Sequence, residues 1–200
     1  ADANPDSELA QLLPQFKRWY AQAGTPRVQA QGVYDAATRT YTLTLAQSCA
    51  PTPGQSGKEP FVIPVSLGLL DANGQDMPLQ LDGEEANAAS RTLVLTQESQ
   101  TFSFVNLDSE PVPSILRGFS APVVLEFAYT DAQLLHLLAH DSDPFNRWEA
   151  GQRLAVNRAV AAIQSEEAIA AVLDDAYLNA MRDVLRHPTL DAAFKELVLT

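Results

Sequence analysis

The segment Phe119–Trp148, FSAPVVLEFAYTDAQLLHLLAHDSDPFNRW, contains the change of hydrophobic period that decides the fold. Its first half alternates as a half-buried strand does, with apolar side chains on one face at Val123, Leu125, Phe127 and Tyr129. Leucines at helical spacing follow from Leu134. Thr130 and Gln133 have the T-x-x-Q form of a capping box, so the pattern predicts a helix from about residue 131. The chain is therefore expected to be β before this point and α after it.

Upstream, residues 27–130 show short alternating runs separated by turn signals, the pattern typical of an antiparallel, immunoglobulin-like β-sandwich. Asn73-Gly74 favours a type I′ hairpin turn that pairs the strands on either side. Pro64 lies inside a strand pattern and cannot donate to a ladder, so that strand should be at an edge or bulged there. The expected strands are Arg27–Tyr34, Thr38–Gln47, Phe61–Leu70, Met77–Leu81, Thr92–Thr96, Thr101–Val105, Ser114–Phe119 and Val123–Thr130.

Helical patterns lie on both sides of the sandwich. Asp6–Ala23 forms an amphipathic helix that Pro14 should kink or shorten, and Gly24 ends it. After residue 131, Asp143-Pro144 caps a second helix, Ser165 caps a third, and Leu190–Leu199 forms a fourth. The predicted fold class is α+β by domains, a β-sandwich followed by an α-helical segment of a solenoid or bundle.

Composition and charge exclude several classes of protein. The chain is 46% hydrophobic and 19% charged, an ordinary globular balance, and its formal charge of −12 argues against nucleic-acid and membrane-surface binding. A single cysteine, Cys49, cannot form an intramolecular disulfide, which favours a cytoplasmic location. The start, ADANPDSELA, lacks Met and the features of a signal peptide, and we expect a piece of a longer protein.

The strongest candidate for metal chemistry is His136-Leu-Leu-Ala-His140, two histidines at i and i+4 on a predicted helix. This is the ligand spacing of the zincin motif H-E-x-x-H, but Leu137 replaces the catalytic Glu, and His187 is a poor third ligand. We therefore favour two histidines at a helix end, with a small metalloenzyme as an alternative. Cys49 lies far along the chain from any histidine and is interpreted as a bystander thiol.

One further segment, Asp143–Ala150, carries residue types enriched at interface centres, with Asn146, Arg147 and Trp148 in the first turns of a helix. The alternative, weighed equally, is that Trp148 belongs to the core and Arg147 pairs locally with Asp143 or Glu149. The sequence alone leaves both open.

Four segments in order, Phe16–Val28, Pro60–Leu79, Pro111–Glu126 and Asp143–Ala155, resemble the bacterial aminopeptidase N family, the M1 zinc metallo-aminopeptidases. The resemblance implies that residues 1–24 end a preceding catalytic domain, residues 25–130 form an immunoglobulin-like domain and residues 131–200 begin a C-terminal helical domain. The family's H-E-x-x-H and G-x-M-E-N motifs have no matching positions here. No catalytic or metal residue can therefore be assigned, and zinc is expected only in the parent enzyme.

The resemblance implies a non-catalytic piece of an aminopeptidase that removes N-terminal residues from peptides. The β domain would be a spacer and the helices part of the active-site cap. Expected partners are the catalytic domain and the remaining C-terminal helices, and peptides bind only through the parent. The candidate inter-domain interface residues are Trp19, Tyr20, Asn146, Arg147 and Trp148. Two alternatives stay open: a stand-alone immunoglobulin-like binding module and a small metalloenzyme using His136 and His140.

Overall fold

The computed structural model describes residues 8–85, 88–165 and 174–199. Two short helices precede seven strands and four further helices, and a 3-10 turn, Arg117–Phe119, lies between β6 and β7. The elements are α1 Glu8–Phe16, α2 Arg18–Ala21, β1 Arg27–Asp35, β2 Thr40–Ser48, β3 Ile63–Leu70, β4 Arg91–Leu95, β5 Ser99–Phe104, β6 Val112–Ile115, β7 Val124–Glu126, α3 Asp131–His140, α4 Pro144–Ser165, α5 Asp175–Arg186 and α6 Ala192–Leu199. The predicted order of a β region followed by an α region is confirmed.

The strands form two sheets packed as a sandwich, with strand order β5-β2-β1-β7 in one and β4-β3-β6 in the other. β2 shows why they pack, because its side chains alternate between buried and half-buried along its length. Tyr41, Leu43 and Leu45 face the core, where each fully buried apolar side chain stabilises the fold by about 2 kcal/mol. The opposing sheet contributes Ile63, Val65, Leu67 and Leu69.

β3 is the central strand of its sheet, yet Pro64 fits there because the ladder with β6 covers only Leu67–Leu70. The predicted edge position is wrong for β3 as a whole, but at Pro64 itself the strand pairs with β4 alone. Further along, both faces of β3 are buried, and Leu70 joins a second hydrophobic cluster formed by the helices. β3 therefore connects the two cores.

The predicted strand Met77–Leu81 is wrong. Residues 77–80 form no strand, and the turn before them is not type I′, since only Gly74, and not Asn73, has a positive φ. Asp71 instead closes the loop by accepting hydrogen bonds from the backbone N–H groups of Asn73 and Gln75, at 2.8 and 2.9 Å. β3 does pair briefly with the chain beyond this turn, through an antiparallel bridge between Leu70 and Asp76 and a hydrogen bond from Met77 N–H to Leu69 O at 2.8 Å, but the pairing goes no further.

Two other predicted strands are shorter than expected. β6 ends at Ile115 because Leu116, Gly118 and Phe119 adopt left-handed backbone conformations that no strand continues. β7 pairs in parallel with β1. It spans only Val124–Glu126, because a tight turn follows in which Tyr129 N–H donates to Phe127 O at 3.0 Å. The predicted N-terminal helix keeps Pro14 inside α1 and is interrupted at Lys17.

The helices pack on one another and on the end of β3. Thr130 and Gln133 form the predicted capping box of α3, and Asp174 caps α5 by accepting from Tyr177 N–H at 2.8 Å. Ser165, predicted to cap the third helix, is instead the last residue of α4, and residues 166–173 lie outside the described part of the chain. The buried helical cluster comprises Leu134, Leu137, Leu138, Ala150, Leu154, Ala180, Val184 and Val198.

Within residues 8–85, 88–165 and 174–199, none of the helices combines the length and the hydrophobicity that crossing a membrane requires.

Candidate functional site: a buried polar junction

Arg117 lies at the centre of a polar junction between the β3 sheet and the helices, and its side chain is only 7% exposed. Its Nε donates to Ser114 Oγ at 2.9 Å, while Nη2 reaches Asp76 Oδ1 at 2.6 Å and Asp141 Oδ1 at 3.2 Å. The guanidinium lies over Gly68 of β3, where a Cβ would approach Arg117 Cζ to 2.1 Å. A glycine at this position is what allows the charge to lie flat on the sheet.

Asp141 is the carboxylate that pairs with the Arg117 guanidinium from the helical side of the junction. It ends α3, its backbone N–H bonds Leu137 O at 2.9 Å, and its carboxylate also accepts from Asp143 N–H at 2.9 Å. Burial raises the pKa of the Asp141 carboxyl, and the Asp143 N–H and Arg117 act in the opposite direction. Asp141 Oδ2 is buried and has no hydrogen-bond partner among the described residues. The carboxylate is therefore held in place at an electrostatic cost.

Asp143 and Asn146 bond the start of α4 to β6 and to the 3-10 turn that follows it. Asp143 caps the helix by accepting from Asn146 N–H at 2.9 Å, and its other oxygen accepts from Gly118 N–H at 2.8 Å. The Asn146 amide donates to Ser114 Oγ at 2.8 Å and to Ile115 O at 3.0 Å. One helix terminus is thus bonded to β6 and to the 3-10 turn at once, which fixes its angle to the sheet.

The other predicted interface residues lie in two places. Arg147 is 4% exposed, and its Nε donates to Asp141 O at 3.1 Å rather than to Asp143 or Glu149 carboxylates. Burial lowers the pKa of Arg147. Trp148 is half-buried against the helical cluster, with its ring 6.0 Å from that of Phe145.

At the far end of the sandwich, Trp19 donates from Nε1 to Val62 O at 2.8 Å and its ring lies 4.7 Å from that of Phe61. Tyr20, its neighbour, is 85% exposed. The structure thus brings Asn146, Arg147 and Trp148 together and keeps Trp19 and Tyr20 apart from them. Contact of any of the five with another domain stays a prediction.

A cavity of about 310 Å³ opens beside the junction, between the end of the sheet and helices α3 and α4. Its lining is mainly apolar and includes Phe119, Val124 and Phe145. Glu149 and Arg153 stand in its wall as an ion pair of 3.3 Å. Arg153 also donates to Leu125 O at 2.8 Å and lies over the Tyr129 ring.

The two histidines of the metal hypothesis do lie on one helix face, with ring centroids 5.0 Å apart. His136 Nε2 is 2.9 Å from Asp71 O, and His140 packs against Gly74, so both contact the loop after β3. Burial and the neighbouring His136 lower the pKa of His140. Among the described residues, no group of three or more His, Cys, Asp or Glu side chains is arranged to hold a metal ion. The described residues therefore offer no ligand set that fits a zinc ion.

Cys49 lies next to Gly24, and its Sγ is 3.7 Å from Ala23 O. No hydrogen bond to a histidine or carboxylate is found for it in the part of the chain that the structure describes. A thiol in this setting has no adjacent base to activate it. The side chains that the described residues do bring together are those of the polar junction between the sheet and the helices.

Sequence reasoning missed Arg117, Asp76 and Ser114, and it did not identify Asp141 as the partner of a buried arginine. One signal for Arg117 is present: it is the single charged residue between Pro111 and Leu125. A lone charge in an apolar run needs a partner when the run is buried. The partners come from residues 76 and 141, and only the tertiary fold shows which carboxylates they are.

The comparisons with known proteins assign the class. Residues 24–128 match the profile of DUF3458, described as a domain of unknown function with an Ig-like fold, and residues 131–200 match DUF3458_C, described as ARM repeats. The first match covers more than half of the chain, and the chain belongs to the DUF3458 family.

Particular relatives then give the context. The chain is 39% identical to Aminopeptidase N of Escherichia coli over 191 residues and 39% identical to Aminopeptidase N of Haemophilus influenzae over the same length. In both cases 94% of this chain is matched, but it spans only 21% of the relative. A crystal structure of Legionella pneumophila aminopeptidase A in complex with aspartic acid superposes with a TM-score of 0.75, at 25% identity, over 94% of this chain and 20% of that one. The predicted resemblance to bacterial aminopeptidase N is confirmed.

Proposed function

We propose that this chain is the connecting unit of a zinc-dependent aminopeptidase of the M1 family. In this proposal the β-sandwich is a spacer, and α3 to α6 start the helical cap over an active site that lies elsewhere in the longer protein. Residues 1–24 would end the catalytic domain and residues 25–130 would form the spacer. Zinc would bind in the catalytic domain, because the residues that the structure describes offer no group of ligands for it. The single cysteine supports a cytoplasmic location.

The observation that carries the proposal is the junction of Arg117 with Asp76 and Asp141. A spacer must set two domains at a fixed angle, which a flexible linker cannot do. Here the sheet and the helices are joined by buried, directional hydrogen bonds, and the Asp143 cap adds a second point of attachment through Gly118. The Asn146 bonds to Ser114 and Ile115 extend this attachment along the end of β6, which holds the start of α4 at one angle to the sheet.

The experiment compares the full-length protein that contains this chain with two of its variants. Arg117→Met breaks the buried junction, and Arg39→Met breaks an exposed ion pair with Asp108 as the control. Hydrolysis of an alanyl anilide is measured together with zinc content. We expect Arg117→Met to lower kcat/KM while zinc stays bound, and Arg39→Met to behave as the wild type. Full activity of a folded Arg117→Met protein would overturn the spacer role.

The isolated 200-residue chain tests the metalloenzyme alternative. We expect no hydrolysis of the anilide and no stoichiometric zinc by elemental mass spectrometry after dialysis. One zinc per chain, lost in His136→Ala together with any peptide hydrolysis, would refute the proposal and establish a site at His136 and His140.

A further inference from the structure

Helix α4 carries apolar residues on two opposite faces. One face packs in the helical cluster through Ala150 and Leu154, and Ala162 lies further along the same side; all three are at least nine-tenths buried. Val156, Val160 and Ile163 lie on the other side of the helix and are 59%, 46% and 78% exposed. A helix that is apolar on both faces is normally buried on both, and the exposed stripe has no partner among the residues that the structure describes.

The exposed stripe continues into the cavity beside the junction. Residues Phe145, Glu149, Gln152, Val156, Val160 and Ile163 follow at spacings of three and four, so they form one row along α4. Phe145 and Glu149 line the cavity, and Val156 lies further along the same row. The cavity and the stripe are therefore one surface, which we call the outer α4 face. From residue 145 to residue 163 it is about 27 Å long.

Phe119 lies at the cavity end of the outer α4 face and has a left-handed backbone conformation. Its φ is +51°, a left-handed value that is costly for an aromatic residue, and its ring is 52% exposed and 5.3 Å from that of Phe145. Strained backbone of this kind concentrates at sites that contact ligands and partners. Val124, 42% exposed, lines the same cavity. A half-exposed aromatic ring beside an apolar cavity supplies the anchor end of a docking surface.

We propose that the outer α4 face binds one amphipathic helix of about 18 residues, contributed by the part of the longer protein outside these 200 residues, with one apolar side chain of that helix seated in the 310 Å³ cavity. The proposal rests on the proposed function in one respect, that the chain acts as part of a longer protein. It does not require that protein to be a peptidase.

Three observations select this occupant. The relatives are about five times as long as this chain, so a longer protein of this kind contains further segments that could supply the helix. Residues 131–200 match ARM repeats, in which each helix packs against neighbours from adjacent repeats. A second copy of this chain is disfavoured, because two bodies of charge −12 repel each other. The Glu149–Arg153 pair near the cavity end of the face offers the incoming helix one polar contact, which would fix its register.

The test measures thiol labelling by a maleimide in a Cys49→Ser background. Val156→Cys and Ile163→Cys place probes on the outer α4 face, and Val33→Cys on β1 is the matched control, because Val33 is 60% exposed and Val156 59%. Each variant is made in the 200-residue chain and in the full-length protein. All three should label rapidly in the short chain. In the full-length protein, labelling at residues 156 and 163 should slow by about tenfold or more while residue 33 changes little.

Equal labelling of residue 163 in both proteins would overturn the proposal. Protection that appears in the short chain and grows with its concentration would also overturn it, in favour of a second copy. Ile163→Lys provides a second readout, since it should lower the Tm of the full-length protein and leave that of the short chain unchanged. An inactive full-length protein that still protects residues 156 and 163 would refute the proposed function and leave the docking helix standing.

Discussion

Arg117 and Asp141 belong to different layers of the molecule, yet Arg117 Nη2 lies 3.2 Å from Asp141 Oδ1 with both side chains almost fully buried. Arg117 follows the last residue of β6 by two positions, and Asp141 is the residue that ends α3. Their contact therefore couples the end of a strand to the end of a helix, and the sheet cannot move relative to the helices without separating the two charges. The first predictions concern this pair.

Arg117→Met should destabilise the chain by about 3–5 kcal/mol, because it leaves the Asp141 carboxylate buried without its cation. Chemical denaturation with urea measures the loss. Arg39→Met provides the control, since the Arg39–Asp108 pair is half exposed or more on both sides and should cost less than about 1 kcal/mol. Asp141→Asn should cost less than Arg117→Met, because Arg117 keeps its pair with Asp76. The reverse order of the two losses would mean that Arg117 is not the centre of the junction.

The Asp141 carboxyl should make stability depend on pH. Its native pKa is raised above the ordinary value of 3.8, so the native state holds this proton more tightly than the unfolded chain does. The contribution of Asp141 to stability should therefore fall as pH rises above 3.8 and become constant above the native pKa. Urea unfolding of wild type and Asp141→Asn across this range measures it. The stability of wild type minus that of the variant should decrease with pH, and an increase would show that the native pKa is lowered instead.

Gly68→Ala should destabilise the chain by about 1–3 kcal/mol, because its methyl group would approach Arg117 Cζ to 2.1 Å and force the guanidinium off the sheet. Gly57→Ala is the matched control, since a Cβ there meets nothing within 4 Å and the backbone is not left-handed. Thermal unfolding of the two variants distinguishes them. Equal Tm values would mean that Arg117 moves aside at little cost.

Trp19→Ala should destabilise the chain by about 2–4 kcal/mol through loss of its packing on Phe61 and of its bond to Val62 O. Tyr20→Ala, one residue further on, removes a side chain that is 85% exposed and should change stability by less than about 0.5 kcal/mol. Urea unfolding of the 200-residue chain gives both values. A large effect of Tyr20→Ala in this short chain would mean that Tyr20 contacts the sandwich after all.

Much of the fold could be predicted because strands and helix starts depend on patterns of neighbouring residues. The alternation of Tyr41, Leu43 and Leu45 fixes which face of β2 is buried, and the Thr130–Gln133 capping box fixes where α3 begins. Both depend on residues within a few positions of one another. The Met77–Leu81 strand was predicted from the same kind of signal and is wrong, because the pairing with β3 stops after the Leu70–Asp76 bridge and the Met77 N–H bond to Leu69 O, and local patterns do not show how far two segments stay paired.

The sequence by itself determined the order of a β-sandwich followed by helices, the main helix caps and the resemblance to aminopeptidase N, since periodicity, capping and segment identity are properties of neighbouring residues. Tertiary structure alone decided the strand order, the partners of Arg117 and the exposure of the outer α4 face. Asp76 and Asp141 are 41 and 24 positions from Arg117 along the chain. Local patterns carry no information on which distant carboxylate meets a buried charge, because that depends on how the layers close over it.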